Sequence, residues 1–443
     1  MPATESKRLG AVVMAAGLGT RMRSEVPKHL HPLLGRRMVD WVLGVVEELG
    51  ADPVVVVAAP STSGAFAGVE VAVQEQPLGT GDAVRSARRA LEGRADDVLV
   101  LSGDTPLLTP ALLQDLLGTH RRSRATATVL SFERDDPGGY GRVLRNGDGA
   151  VAAIVEARDA TPEQLAVCEV NSSIYVFQAS RLWPILDRLR PHNVQGELYL
   201  TDSVALLAGE GDTVAVHKGG DAMETEGVNT RVELAAAAAT MRDRINAEHM
   251  LAGVTIVDPS STWIDAEVTI EPDAVIHPFT VLGGATRVGV GAEVGPHVVA
   301  RDSEIGERAV VGPFCYLRPG TVLGAGAKAG TFVEIKNARI GEDAKVPHLS
   351  YVGDAEIGDA TNIGAGSITA NYPHQAGLPK GRTTIGRNVR VGVDTVFNAP
   401  VDVGDDAWTA AGSVITDDVP PNALAIARAR QVNKEGRGGK RND

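Results

Sequence analysis

Residues 305–340 read IGERAVVGPFCYLRPGTVLGAGAKAGTFVEIKNARI, and a small aliphatic side chain returns at every sixth position: Ile305, Val311, Leu317, Leu323, Ala329 and Ile335. After a five-residue step the beat continues at Ile340, Val346 and Val352, and after another at Ile357 and Ile363. Beyond an interruption it resumes at Ile385, Val391, Phe397, Val403, Thr409 and Ile415. A period of six is too long for a helical stripe and too regular for the strands of an ordinary sandwich. It matches a parallel β-helix, in which three hexads close one coil. The aliphatic residue of each hexad points inward and stacks on its equivalents, while Gly, Asp and Asn occupy the turns. Hexads of this kind predict a left-handed coil, an exception to the right-handed crossover rule.

Upstream the rhythm changes. Short apolar runs, Gly10–Ala15, Pro53–Ala58, Val98–Leu101, Thr126–Ser131 and Ser173–Phe177, alternate with helical stretches at Met38–Leu49, Gly81–Leu91 and Pro110–His120. Such alternation predicts a Rossmann-like α/β domain over residues 1–230, with a mostly parallel sheet and ligands outside the carboxyl ends of its strands. Residues 231–251 are Ala-rich and free of Pro, which predicts a connecting helix. The β-helix then spans residues 252–432, and residues 433–443 form a basic tail.

Composition narrows the function. The chain has 443 residues, 43% hydrophobic and 4% aromatic, and the scarcity of rings suits a narrow β-helix interior. A formal charge of −13 argues against nucleic-acid binding, which needs clustered Lys and Arg. Two cysteines, Cys168 and Cys315, make neither a disulfide framework nor a zinc site and suit a reducing compartment. The apolar run near the start, VVMAAG, ends in a glycine loop and is too short for a signal h-region. With no run of eighteen apolar residues, the expectation is a cytoplasmic protein without membrane insertion.

The segment Ala15-Ala16-Gly17-Leu18-Gly19-Thr20-Arg21-Met22 follows the first strand and reads as a glycine-rich turn entering a helix. Backbone N–H groups in such a turn can cradle phosphates. It is not a Walker loop, and Met22 stands where a dinucleotide fingerprint requires its third glycine. Arg21 and the Lys28 of Pro27-Lys28 add two cations able to stabilise charge developing during phosphoryl or nucleotidyl transfer. Asp104 ends a strand at the ligand-binding rim, where a hard carboxylate oxygen suits Mg2+. In the β-helix, Arg318 and Lys336 lie eighteen positions apart, one full coil, and should stack on one face and share a phosphate. His348 sits near a turn, with Arg318, Lys336, Tyr351 and Asn362 expected on its side of the prism.

These motifs carry a resemblance. Ala-Ala-Gly-x-Gly-Thr-Arg-Met with Pro-Lys, then Gln74…Leu78-Gly79-Thr80-Gly81, Gly103-Asp104, Gly139-Tyr140-Gly141-Arg142, Ile154-Val155-Glu156, Val170-Asn171 and Glu226-Gly227-Val228-Asn229 occur in the order of the sugar-nucleotide pyrophosphorylases. Joined to a hexapeptide β-helix, the set resembles the bacterial bifunctional UDP-N-acetylglucosamine pyrophosphorylase/glucosamine-1-phosphate N-acetyltransferases over nearly the whole chain. The resemblance implies a nucleotidyltransferase domain at residues 1–230 and an acetyltransferase domain at residues 252–432. It also implies a homotrimer and a place in cell-wall precursor synthesis. UTP and N-acetylglucosamine 1-phosphate would be held by Ala15, Ala16, Gly17, Gly19, Lys28, Gly79, Ser102 and Gly103, with Gln74 and Thr80 reading the uracil. Gly141, Glu156 and Asn171 would hold the sugar, and Asn229 would join Asp104 on Mg2+.

For the β-helix the resemblance implies that His348 takes the proton from the amine of glucosamine 1-phosphate as it attacks acetyl-CoA. Arg318, Lys336, Tyr351 and Asn362 would bind the sugar phosphate. Ala365, Asn371, Tyr372, Val393, Ala411 and Arg428 would bind acetyl-CoA. Three departures stand out. Ser102 replaces the family's Tyr, Val393 replaces its Ser, and Asn-Tyr-Asp-Gly becomes Asn371-Tyr372-Pro373-His374 with inserted residues before Lys380. The alternative is a single-function sugar-phosphate nucleotidylyltransferase whose β-helix serves trimerisation or regulation.

Overall fold

The computed structural model describes residues 7–17, 19–147, 149–373, 377–435 and 437. Leu18 of the glycine loop, His374 and most of the basic tail lie outside the described residues. The chain divides into two compact units, with the boundary between Thr240 and Met241 inside a helix that runs Arg231–Leu251. Glu233 caps that helix by accepting from the backbone N–H of Asn229 and Thr230, at 2.6 and 2.8 Å.

The first unit is built on a nine-stranded sheet. Its strands are β1 (Leu9–Ala15), β2 (Val54–Ala58), β3 (Glu70–Val73), β4 (Asp97–Ser102), β5 (Ala127–Glu133), β6 (Arg142–Arg145), β7 (Val151–Val155), β8 (Glu169–Gln178) and β9 (Val214–Lys218). The order is β9-β5-β8-β4-β1-β2-β3, with β6 bridging β8 and β7. Neighbours run parallel from β4 through β3, while β8 is antiparallel to both β4 and β5. The central strands are apolar on both faces: β1 and β4 bury Val12, Val13, Leu99 and Val100 completely. That pattern is expected of parallel strands covered by helices on both sides. Helices Met38–Glu48 and Pro110–Ser123 pack their apolar sides on one face. The stretch 80–91 forms two short helices, Thr80–Ser86 and Arg88–Leu91, on the other.

The second unit is a parallel β-helix. Three sheets of two- to four-residue strands run side by side, and each strand pairs with the one a coil later. Tyr316 pairs with Glu334 and Glu334 with Tyr351, so coils of eighteen and of seventeen residues both occur, the shorter ones matching the five-residue steps in the sequence. Every anchor from Ile305 to Ile415 points inward, and none exposes more than 5% of its surface. Cys315 lies in the same interior, where burial pushes its thiol up to about 12. The interruption is a single long coil in which Ile368 pairs with Val396 and Glu356 with Thr384. Pairing resumes beyond it on two faces, at Thr383–Ile385 and Val396–Asn398, and runs on along the third through isolated bridges of Asn362, Arg390 and Trp408.

One corner carries side chains that an exterior would not ordinarily collect. Phe279, His297, Phe314 and Phe332 all adopt the left-handed region and stack one per coil, with ring centroids 4.8, 4.7 and 5.2 Å apart. Leu349 takes the same conformation as the next step, and the three Phe and Leu349 are all about half or more exposed.

Candidate active sites

The glycine-rich turn leaves β1 at Ala15 and does not enter a helix. Only a three-residue 3-10 turn, Thr20–Met22, forms before Arg23 takes a left-handed φ of 49° and the chain runs on to Pro27. The expected helix N-terminus is therefore absent, and what the turn offers a phosphate is its own backbone. Gly17 faces open space, while a Cβ on Gly19 would fall 2.5 Å from Lys28 Cβ. Glycine at 19 lets Lys28 close in beside the loop.

Lys28 and Asp104 form an ion pair in which both side chains are largely buried (15% and 13% exposed). Lys28 also donates to Asn229 Oδ1 at 2.9 Å, and Arg21 Nη2 donates to the same oxygen at 2.8 Å. Ser102 is no idle replacement, since its Oγ donates to Asp104 Oδ1 at 2.6 Å. Burial alone would push the Asp104 carboxyl up, but Lys28 and the hydrogen bonds outweigh it and hold it below the ordinary carboxylate range. Asp104 is thus an anion at neutral pH. Among the described residues no cluster of three or more His, Cys, Asp or Glu could hold a metal. The Asp104 carboxylate and the Asn229 amide oxygen, both within reach of one ammonium group, are the donor set that Mg2+ accepts alongside phosphates and water.

Two cavities flank this cluster. One, of about 310 Å³, is lined by Ala15, Ala16, Gly17, Gln74, Gly79, Thr80 and Ser102, with Lys28 and Asp104 at its edge. Gln74 is buried and its amide nitrogen donates to Asp82 Oδ2 and Gly79 O, at 3.0 and 3.1 Å. A carboxylate partner fixes the amide orientation, leaving the carbonyl oxygen as the group that can accept from a base edge. Gly79 has φ 106°, and a Cβ there would meet Leu198 O at 2.6 Å. Thr80 Oγ1 accepts from Leu200 N at 3.0 Å. Gly103 pairs back to Met14 O at 2.9 Å, keeping Asp104 at the end of the strand.

The other cavity, about 400 Å³, is lined by Arg21, Gly141, Glu156, Asn171 and Asn229. Asn171 donates to the buried Tyr175 hydroxyl at 2.7 Å, and its oxygen accepts from Ser173 N at 3.1 Å. Thr201 donates to Glu156 at 3.2 Å, and burial pushes the Glu156 carboxyl up. Arg21, Lys28, Asp104 and Asn229 lie where one cavity gives way to the other. A larger cleft of about 730 Å³, lined by Lys7, Glu48, Asp52 and Arg121, contains none of the expected residues. Thr201 was not foreseen, because it reaches Glu156 only through folding of a distant segment, nor was Tyr175, which lies on the strand of Asn171 but in no motif.

In the β-helix, His348 ends a strand at a corner and is exposed. Thr331 pairs with His348, and the carbonyls of His348, Ala365 and Val393 accept in turn from Gly366, Asp394 and Gly412, one coil later each time. His348, Ala365, Val393 and Ala411 are therefore successive rungs of one edge. Arg318 and Lys336 are neighbours on the adjacent face, as the pairing of Leu317 with Ile335 requires. Arg318 donates to Glu334 at 2.8 Å, and Tyr351 pairs with Glu334 in the same ladder. Lys380 from the long coil reaches Lys336; its proximity, and then the charge of Arg318, lower Lys336 below the ordinary lysine range. Three cations thus gather at one place, a demand for an anion.

Asn362 departs from expectation. It bridges Lys345 and Arg390, which assigns it to the face that His348 ends rather than to the face of Arg318 and Tyr351. The spacing misled because Asn362 lies two steps of the beat beyond Tyr351, and a full coil takes three, ending at Ile368. Asn371 is buried and donates to Asp354, while Tyr372 stands exposed with Lys380 Nζ 5.9 Å from its ring centre. Arg428 lies exposed beyond the last strand, Leu424–Ala425, and among the described residues makes no hydrogen bond or ion pair. The structure does not bring it to His348.

An α/β nucleotidyltransferase domain followed by a hexapeptide β-helix, with a charged cluster in the first and a histidine edge in the second, defines a two-site sugar-phosphate enzyme. Residues 11–199 match the family model of the MobA-like NTP transferase domain. The chain is 48% identical to the bifunctional protein GlmU of Mycobacterium tuberculosis (strain ATCC 25177 / H37Ra) over 454 residues, 96% of this chain and 91% of that protein. To the GlmU of Streptomyces coelicolor it is 48% identical over 450 residues, 96% and 93% of the two chains. For Corynebacterium efficiens the figures are 46% over 463 residues, 98% and 94%. The chain belongs to the bifunctional GlmU family.

Proposed function

We infer that the chain makes UDP-N-acetylglucosamine, a cell-wall precursor, in two steps. The β-helix unit transfers acetyl from acetyl-CoA to glucosamine 1-phosphate. The α/β unit then transfers uridylyl from UTP to N-acetylglucosamine 1-phosphate and releases pyrophosphate. Membership of the GlmU family over both units carries this reading.

For uridylyl transfer the supporting geometry is the cluster of Arg21, Lys28, Asp104 and Asn229 between two cavities. The smaller cavity takes the nucleotide, Gln74 and Thr80 reading uracil and the Ala15–Gly19 turn and Gly79 lying along ribose and phosphates. The larger takes the sugar phosphate against Gly141, Glu156 and Asn171. A phosphate oxygen of the sugar attacks the α-phosphorus in line, and pyrophosphate leaves from the opposite side. Lys28 and Arg21 stabilise the charge on the transferring group, and no covalent intermediate is needed. Asp104 and Asn229 would hold Mg2+, which would supply neutralisation of the triphosphate charge.

For acetyl transfer, Arg318 and Lys336, with Lys380, hold the phosphate of glucosamine 1-phosphate beside Tyr351. His348 takes a proton from the amine as it attacks the thioester carbonyl, and the CoA thiolate departs. Ala365, Val393 and Ala411 provide a small, apolar edge along which the pantetheine arm can lie, flanked by Asn371 and Tyr372. Val393 has no hydroxyl for the thioester oxygen, so a backbone N–H serves instead. The exposed ring ladder from Phe279 to Phe332 supports a homotrimer, since a second and third copy would cover it.

Val393 and the position of Asn362 favour one other reading, a nucleotidyltransferase whose β-helix only assembles subunits. Purified protein with glucosamine 1-phosphate and acetyl-CoA decides between them. Free thiol should appear in proportion to protein, and its absence would leave the β-helix as a scaffold.

A further inference from the structure

Glu226-Gly227-Val228-Asn229 brings an amide oxygen to Lys28 although it belongs to no helix or strand. Several bonds hold it from its own side. Val228 N–H donates to Asp104 O at 2.8 Å, Asn229 N–H donates to Glu233, and the Asn229 side chain donates to Gly227 O at 3.0 Å. Two further ties come from other parts of the 400 Å³ cavity, one of them direct, from the Tyr140 hydroxyl to the Gly227 backbone. Arg134, the residue after β5, donates from Nη1 to Glu226 Oε1 at 2.6 Å. Its guanidinium lies 5.7 Å from the centre of the Tyr140 ring, and that ring packs edge-on against Phe132 at 5.3 Å. Arg134, Tyr140, Gly141, Glu226 and Asn229 all line the same cavity.

The Arg134 plane therefore joins two separate walls: the Gly139–Gly141 turn through Tyr140, and the loop carrying Asn229 through Glu226. Both charged side chains are about a third exposed (36% and 29%), so their attraction alone contributes modestly to stability. The fixed fork of the guanidinium contributes geometry, because it can stack and pair at once. We propose that Arg134 is a positioning residue for uridylyl transfer, setting the width of the sugar-phosphate pocket by tying Glu226 to Tyr140. The proposal rests on reading this cavity as the sugar-phosphate pocket. Arg134 touches none of the groups of the reacting cluster, so its effect should fall on binding of the sugar phosphate.

The test is steady-state kinetics of the full chain. Arg134→Met should raise KM for N-acetylglucosamine 1-phosphate about three- to tenfold, with kcat and KM for UTP within about twofold. Acetyl transfer should not change. Glu226→Gln should raise the same KM, and the double variant should be no worse than the single ones, because both remove one link. An unchanged sugar-phosphate KM in Arg134→Met overturns the proposal. So does a lowered KM in Glu226→Gln, which would mean a freed Arg134 grips the phosphate directly. Equal losses for both substrates with a lower melting temperature also overturn it, assigning the pair to stability. Wild-type protein without uridylyl transfer would fail before any variant is made and would sink the functional reading itself.

Discussion

Asp104 is held ionised by Lys28 and bonded by Ser102, so removing its charge should fall on one reaction only. Asp104→Asn should lower uridylyl transfer by about 10²-fold or more while leaving acetyl transfer intact, read as pyrophosphate and thiol release. His348→Ala should do the reverse, losing about 10²- to 10⁴-fold in acetyl transfer. Equal loss of both activities in either variant would refute two independent sites. Glu156 has the opposite character, because burial raises its carboxyl. A group whose folded pKa is raised favours the native state at low pH, and that contribution is lost as pH rises through the folded value. Glu156→Gln should therefore raise the melting temperature at pH 7.5 relative to wild type, with the gap closing toward about pH 4, while weakening sugar binding. A gap that widens on acidification would contradict the assignment. At this scale Lys28 and Asp104 were singled out by residue chemistry, and Asn229 only through the family resemblance; the structure brings the three together. Tyr175 and Thr201 were not singled out, because neither belongs to a motif: Tyr175 meets Asn171 on its own strand, and Thr201 reaches Glu156 from a distant turn.

Among elements, hexad periodicity told more than any motif, since an inward residue every sixth position leaves little choice of architecture. It determined depth but not corners. Asn362 follows Tyr351 by two steps of the beat rather than the three that close a coil, which is why it fell on a neighbouring face. The helix expected after the glycine loop failed for a local reason, Arg23 turning left-handed before a second turn could form. The coil also imposes demands that no repeat pattern reveals. A Cβ on Gly330 would lie 2.0 Å from Pro347 O, a backbone atom of the next coil that cannot swing aside. Gly330→Ala should then cost about 1–3 kcal/mol, visible as a lower denaturation midpoint of the β-helix unit. No change would mean the coils are looser than their register implies. The antiparallel pairings of β6, β7 and β8 lay equally beyond sequence reading, because strand direction depends on the path of the connections.

At the level of the whole molecule, the two chemistries differ in what they require. Chelation with EDTA should abolish uridylyl transfer and spare acetyl transfer, because only the first site presents paired hard oxygens to a cation. Metal-dependent acetyl transfer would contradict that division. Assembly can be tested separately: Phe314→Asp, in the middle of the ring ladder, should shift the sedimenting species from trimer toward monomer. An unshifted trimer would place the subunit contact elsewhere.

The long coil accommodates surplus residues while Ile368 still pairs with Val396, and the converse should hold for whole coils. Val281 and Val299 occupy equivalent rungs, so excising residues 281–298 joins Thr280 to a residue already suited to follow it. The product would be shorter by one strand spacing, about 4.8 Å, with His348 and its neighbours untouched. Length in this protein is thus quantised, like courses in a brick wall, and evolution can adjust its reach one course at a time while the chemistry stays where it is.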